Sequence, residues 1–207
     1  MSLRDSLFAI TYDRQLAKTE EAGLRAMRKR LLDGAAGAVV EIGSGTGANL
    51  PLYGPAVTSL TVTEPVQPMV RRLERRVRDL GSAATVLRAP AEDLPFDSDT
   101  FDVAVSTLVL CGVDDQPRAL RELRRVLRPG GTLLFLEHVR ADDPKRARQQ
   151  DRLNWLNRMM VRCDCNRPTL DTIRLAGFTV TSVEHTALPK APPFVSPAIV
   201  GTAKAPA

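Results

Sequence analysis

The chain has 207 residues, 43% hydrophobic and 26% charged, the size and balance of one large α/β domain, which excludes a disordered or low-complexity polypeptide. Lys and Arg number 29 against 24 Asp and Glu, but both signs are interspersed and aromatics are only 4%, so no nucleic-acid partner is expected. No run of about 18 apolar residues occurs and the amino terminus MSLRDSLFAITYDRQ has no long apolar stretch, so a cytoplasmic chain without a transmembrane segment is expected.

Apolar residues Leu24, Met27 and Leu31, three and four apart, predict an amphipathic helix that ends near Asp33-Gly34. Residues 38–42 form a short apolar strand broken by Gly43, and residues 59–63 a second strand. The stripe Met69, Val70, Leu73, Val77 and Leu80 predicts the next helix, with Arg71, Arg72, Arg75, Arg76 and Arg78 as its solvated face. Strands are expected at 84–88 and 101–106. A helix opening near Pro117 carries Leu120, Leu123, Val126 and Leu127 until Pro129-Gly130-Gly131 stops it, and a fifth strand covers 132–139. Residues 142–162 read as one Arg-rich helix over the carboxyl edge of the sheet. A short helix at 169–176 closes at Gly177, and strands at 178–185 and 194–203 form a terminal hairpin. Helices alternating with short apolar runs predict an α/β fold. It is a Rossmann-like, seven-stranded, mostly parallel sheet with an antiparallel terminal strand and helices on both faces.

Three cysteines, Cys111, Cys163 and Cys165, are an odd number without a disulfide framework, so reduced thiols are expected. Cys163 and Cys165 hint at metal, but a four-ligand structural zinc site would have only His138 and His185 to add, and no metal is expected.

The segment Glu41-Ile42-Gly43-Ser44-Gly45-Thr46-Gly47-Ala48 lies where a strand passes into a helix, and its small residues let a ligand approach the backbone amides. Gly43, Gly45 and Ala48 also satisfy the spacing of a dinucleotide-binding turn, and a tight structural turn is a third reading. Glu64, at the end of the second strand, stands where a carboxylate accepts both hydroxyls of a ribose. That acid supports a nucleotide without choosing which.

The choice comes from AEDLPF (91–96), FDV (101–103) and ELRRVLRPGG (122–131), which together with EIGSGTG resemble the class I S-adenosylmethionine-dependent methyltransferases over about residues 38–138. The resemblance implies S-adenosylmethionine as cofactor, with Gly43 and Gly45 at its methionine part, Glu64 at the ribose, and Ala91 and Glu92 flanking the adenine. Tyr12, Glu41, Ser44, Asn49, Pro65, Met69, Thr107, Leu108 and Cys111 are assigned to the same cofactor site. Glu92 also reads as a plain loop acid. The chain then divides into a helical cap at 1–35, a cofactor-binding core at 38–138, a helical substrate-side segment at 142–176 and a terminal hairpin at 178–203.

The stretch STLVLCGVDDQ (106–116), the tripeptide EHV (137–139) and DCNR (164–167) resemble a narrower group, the thiol S-methyltransferases of the methyltransferase-like family, and GTGAN (45–49) is shared with it. The implied acceptor is a small-molecule thiol, with an N- or O-methyl acceptor on a metabolite or lipid headgroup as the alternative. A dinucleotide-dependent oxidoreductase or a nucleotide sensor is the competing class. Trp155, Met159, Cys165 and Asn166 are expected around the acceptor, although core packing and helix capping by Asn166 explain them too. His138, at the carboxyl end of the fifth strand, is the candidate general base, against the alternative of a hydrogen-bonded structural histidine. The Arg-rich stretch 145–162 admits peripheral contact with a membrane or anionic substrate, with a solvated face as the default.

Overall fold

The computed structural model describes residues 17–207. A π-helical turn, Glu20–Leu24, runs into α1 (Arg25–Leu32), followed by β1 (Gly37–Ile42), a 3-10 turn (Leu50–Leu52), β2 (Val57–Thr63) and α2 (Gln67–Asp79). Then come β3 (Thr85–Leu87), β4 (Phe101–Thr107), α3 (Gln116–Val126), β5 (Leu127–His138), α4 (Pro144–Val161), α5 (Thr169–Leu175), β6 (Thr179–Ala187) and β7 (Pro197–Lys204). The strands form one seven-stranded sheet in the order β3-β2-β1-β4-β5-β7-β6. β1 to β5 pair in parallel, and β7 runs antiparallel to both of its neighbours. Sequence periodicity and structure therefore agree on the fold.

Central strands of such a sheet are covered on both faces, so they read as unbroken apolar runs while alternate side chains feed opposite core layers. Leu133 and Phe135 join Val40, Ile42 and Ala104 under Leu120, Leu123 and Val126 of α3. Leu134 and Leu136 join Val39, Val103 and Val105 under Leu24, Leu31 and Leu32. The buried stripe of α2 reaches a third layer in which Leu73 and Val77 meet Leu50 and Val62. Among the described residues no helix is long and apolar enough to cross a membrane.

Two boundaries differ from expectation for local reasons. β5 begins at Leu127, which pairs with Phe101, and the ladder resumes only where Thr132 pairs with Val103. The intervening Pro129 has no N–H to donate and Gly130 takes a φ of +71°, so the backbone bulges there instead of ending a helix and restarting a strand. β7 starts at Pro197 and not at 194, because Val195 and Ser196 turn back onto the Pro192 carbonyl.

Phe135 faces Gly201 across the β5–β7 ladder. A Cβ on Gly201 would lie 2.6 Å from the Phe135 ring and 2.3 Å from the Ser182 carbonyl oxygen, so the ring occupies space that only glycine leaves. Phe135→Ala should open a cavity in a central strand and destabilise the protein by about 3–5 kcal/mol, read as a lower urea midpoint at an unchanged slope.

Candidate active site

Strand order reverses at β1, with β2 on one side and β4 on the other, so the loops after these strands diverge and open a crevice at their carboxyl ends. A cavity of about 760 Å³ occupies it. Its walls come from Gly43 and Gly45 after β1, Glu64, Pro65, Val66 and Met69 after β2, and Pro90, Ala91 and Glu92 after β3. Leu108, Val109 and residues 112–114 follow from β4, and Trp155, Arg158, Met159 and residues 161–164 close the opposite side.

The turn after β1 is left-handed at three glycines, Gly43, Gly45 and Gly47, with φ of +55°, +56° and +84°. Side chains resist that region. At Gly43 a Cβ would also lie 2.5 Å from Val109, so the bare backbone packs directly against the loop after β4 and leaves no space there for a side chain. Glu64 is buried at the cavity wall; one carboxylate oxygen accepts the Gly45 N–H at 3.0 Å and the other the Val66 N–H at 2.9 Å. Burial raises its pKa, and the two N–H donors only partly offset this. Each oxygen keeps a second lone pair for a ligand hydroxyl. Glu92 also borders the cavity, where one oxygen braces the approach to α3 by accepting the N–H groups of Asp114 at 2.8 Å and Asp115 at 3.2 Å.

Several residues assigned to the cofactor lie beneath this surface and not on it. Arg28 of α1 is buried and donates to Asn49 at 3.2 Å and Thr107 at 2.6 Å, while Asn49 donates to Thr107 at 2.9 Å. Glu41 accepts the Tyr53 hydroxyl; burial raises its pKa despite that bond and the Arg28 charge. Glu41, Ser44, Asn49 and Thr107 thus support the turn from below, outside the cavity lining. Cys111 is also off the lining, and Tyr12 lies outside the described residues.

The loop after β4 is folded around a fully buried carboxylate, Glu137 of β5. It accepts the Ser106 hydroxyl at 2.7 Å, the Val109 N–H at 3.0 Å and the Cys111 N–H at 3.3 Å. Burial still raises its pKa above the ordinary carboxylate value. Within this loop Leu108 has a φ of +62°, a conformation costly for leucine and common at ligand sites.

Across the cavity from Glu64, Trp155 and Met159 border it from α4, 65% and 52% exposed. Asp164 accepts from Asn154 at 2.7 Å, Arg158 at 2.8 Å and Arg167 at 2.7 Å. Burial pushes its pKa up, but these donors hold it below the usual carboxylate range. Cys165 is buried off the cavity, 3.7 Å from the Asn154 side-chain oxygen, and burial pushes its thiol up to about 11. Asn166 points away from both assigned roles: it donates to Asp151 at 3.0 Å, and the position capping α5 is Pro168.

His138 ends β5 as expected, yet it is buried and does not border the cavity. Its Nδ1 lies 3.5 Å from the Cys111 sulfur and 3.3 Å from the Cys163 sulfur. Burial alone would lower its pKa, but contact with Cys111 and the nearby Glu137 raise it. The Cys163 thiol and burial drive the Cys111 thiol well above its ordinary value.

Sequence reasoning gave no site role to Arg28, Glu137, Val109 and Arg158, and weighed Cys163 only as a zinc ligand beside Cys165. Two left a signal. Arg28 sits on the apolar stripe four residues after Leu24 and three before Leu31, and Glu137 interrupts the run LLFL of a strand covered on both faces. The others are brought to the cavity only by tertiary folding.

A family model described as a methyltransferase domain matches residues 40–135, the stretch from β1 into β5. Human thiol S-methyltransferase TMT1B is 43% identical over 113 residues, which cover 52% of this chain and 46% of that relative. The Mus musculus thiol S-methyltransferase TMT1B is 33% identical over 175 residues, covering 80% of this chain and 70% of the relative. Among solved structures, a Thermotoga maritima S-adenosylmethionine-dependent methyltransferase superimposes with a TM-score of 0.71 at 24% identity, over 97% of each chain. Fold, glycine turn and strand-two acid, in this order, define a class I S-adenosylmethionine-dependent methyltransferase. Within that class the chain belongs to the family of the TMT1B relatives.

Glu64→Ala should weaken S-adenosylmethionine binding roughly ten- to a hundredfold in calorimetry, because a charge-assisted hydrogen bond contributes about 1.5–3 kcal/mol. Glu64→Gln, which keeps one acceptor oxygen, should fall between. Wild-type affinity in a folded Glu64→Ala variant would remove this carboxylate from the cofactor site.

Proposed function

We propose that the chain transfers the methyl group of S-adenosylmethionine to the sulfur of a small hydrophobic thiol. The observation that carries this reading is the acceptor half of the cavity. Its apolar surface comes from Val109, Val113, Trp155, Met159 and Cys163, with Asp114, Arg158 and Arg162 beside them, and its carboxylate Asp164 is kept ionised by two arginines and an asparagine. Such a wall attracts an apolar acceptor, and a carboxylate held below the usual range is a poor proton acceptor. A thiol needs little help: its pKa is about 8.5, so part of it is already the nucleophilic thiolate near neutrality. The thiol S-methyltransferase relatives support the same acceptor.

The residues present fit the cofactor, since the bare backbone of Gly43 and Gly45 borders the cavity and Glu64 turns a carboxylate to it. When bound, S-adenosylmethionine supplies a methyl carbon on a cationic sulfur. The glycine turn would carry the methionine end, Glu64 would hold the ribose hydroxyls, and Ala91, Glu92 and Met69 would border the adenine. Trp155 and Met159 offer apolar surface at the cavity edge that would hold the acceptor in line. His138, set back from the cavity, takes no proton directly from an acceptor, whose proton leaves to solvent. One carbon–sulfur bond forms as another breaks.

The test is a labelled-methyl transfer panel of matched hydrophobic thiols, amines, phenols and alcohols. Thiols should react fastest, with a rate that climbs through the thiol pKa. Robust turnover of an amine or phenol with none of any thiol would overturn the acceptor while leaving the methyltransferase intact.

A further inference from the structure

Beside the cavity, the fold gathers three metal-ligating side chains distant in sequence. Cys111 comes from the loop after β4, His138 from the end of β5 and Cys163 from the loop after α4, and all three are buried. Their donor atoms lie within 4.8 Å of one another, with both sulfurs beside the same imidazole nitrogen, at 3.5 Å and 3.3 Å. Zinc bonds of about 2.3 Å to sulfur and about 2.0–2.1 Å to nitrogen require tetrahedral edges of roughly 3.5 Å between sulfur and nitrogen. The two observed separations match those edges. Without an ion, one ring nitrogen can serve only one of the two thiols, and the second is left to the Cys111–Cys163 contact.

We propose that Cys111, His138 and Cys163 bind one thiophilic divalent cation of the zinc type. The surroundings hold the donors in place. The Asp164 N–H donates to the Cys111 carbonyl at 2.8 Å, joining the two cysteine-bearing loops. Asn157 donates to the Cys163 carbonyl at 2.6 Å, and Thr169 to the His138 carbonyl at 3.3 Å. Such outer contacts orient ligands before the ion arrives. Binding breaks two S–H bonds, forms two metal–sulfur bonds and one metal–nitrogen bond, and releases two protons to solvent with no change of oxidation state. Two thiolates and a neutral imidazole around a dication carry no net charge, which suits a buried position. Three protein donors leave one tetrahedral position for a non-protein ligand. The expectation of no metal paired Cys163 with Cys165, whereas the fold turns Cys165 to Asn154 and pairs Cys163 with Cys111.

The full chain, expressed with zinc chloride and desalted, should carry about one zinc per chain by elemental analysis. Cys111→Ser and Cys163→Ser should drop it to near zero, and Cys165→Ser should keep it. Cobalt chloride added to metal-stripped wild type should give the intense visible bands of tetrahedral cobalt and a thiolate-to-cobalt charge-transfer band, a readout that needs no variant to fold. Zinc far below one per chain with no charge-transfer band would overturn the proposal. So would zinc retained in a folded Cys111→Ser variant, or an intact mass two hydrogens light that assigns Cys111 and Cys163 to a disulfide.

Discussion

The loop that follows β4 depends on one buried carboxylate. Glu137 gathers a hydroxyl and two backbone N–H groups that would otherwise be buried without partners, and in doing so it closes the chain tightly enough to place Leu108 in a left-handed conformation. That closure sets Val109 against Gly43, directs the backbone of Cys111 and fixes the wall opposite Glu64. An apolar residue at 137 would satisfy the strand pattern and leave the loop without its acceptor.

The same device recurs in other loops of the fold. Glu64 binds the glycine turn, Glu92 binds the entry to α3, and Glu122 accepts the Leu94 N–H while pairing with Arg125. Parallel strands end in loops whose N–H groups have no neighbouring strand to pair with, and side-chain carboxylates supply the acceptors. Burial raises the pKa of Glu64 and Glu137, whereas the Arg125 guanidinium lowers that of Glu122. Acids that all brace loop N–H groups thus titrate differently according to the charge beside them.

Arg28 links the first helix to this edge. Its guanidinium reaches Asn49 and Thr107, its other side meets Glu20 at 3.0 Å, and its charge acts on Glu41 below the glycine turn. The helix is therefore joined to the active-site floor by polar contacts as well as by Leu24, Leu31 and Leu32 in the core. A guanidinium suits the position because its fork serves several oxygens at once.

Local chemistry in the sequence determined the alternation of strands and helices, the glycine turn and the acid at position 64. Periodicity and strand-end placement are set by residues close in the chain and the structure bears them out, except that the glycine turn runs into the 3-10 turn Leu50–Leu52 where a helix was expected. The three-residue β3 and the bulge in β5 also depend on pairing with neighbours, so their limits were less legible. Which side chains border the cavity was decided only by the tertiary structure. Asn49, Thr107 and Glu41 share a motif with Gly43 and Gly45 or a strand end with Leu108, yet face inward to Arg28 and Tyr53. Cys163 and Cys165, two residues apart, part to different partners, while Cys111, His138 and Cys163 meet from elements separated by 27 and 25 positions. Such convergence depends on how helices pack across a sheet, and no short stretch of sequence encodes it.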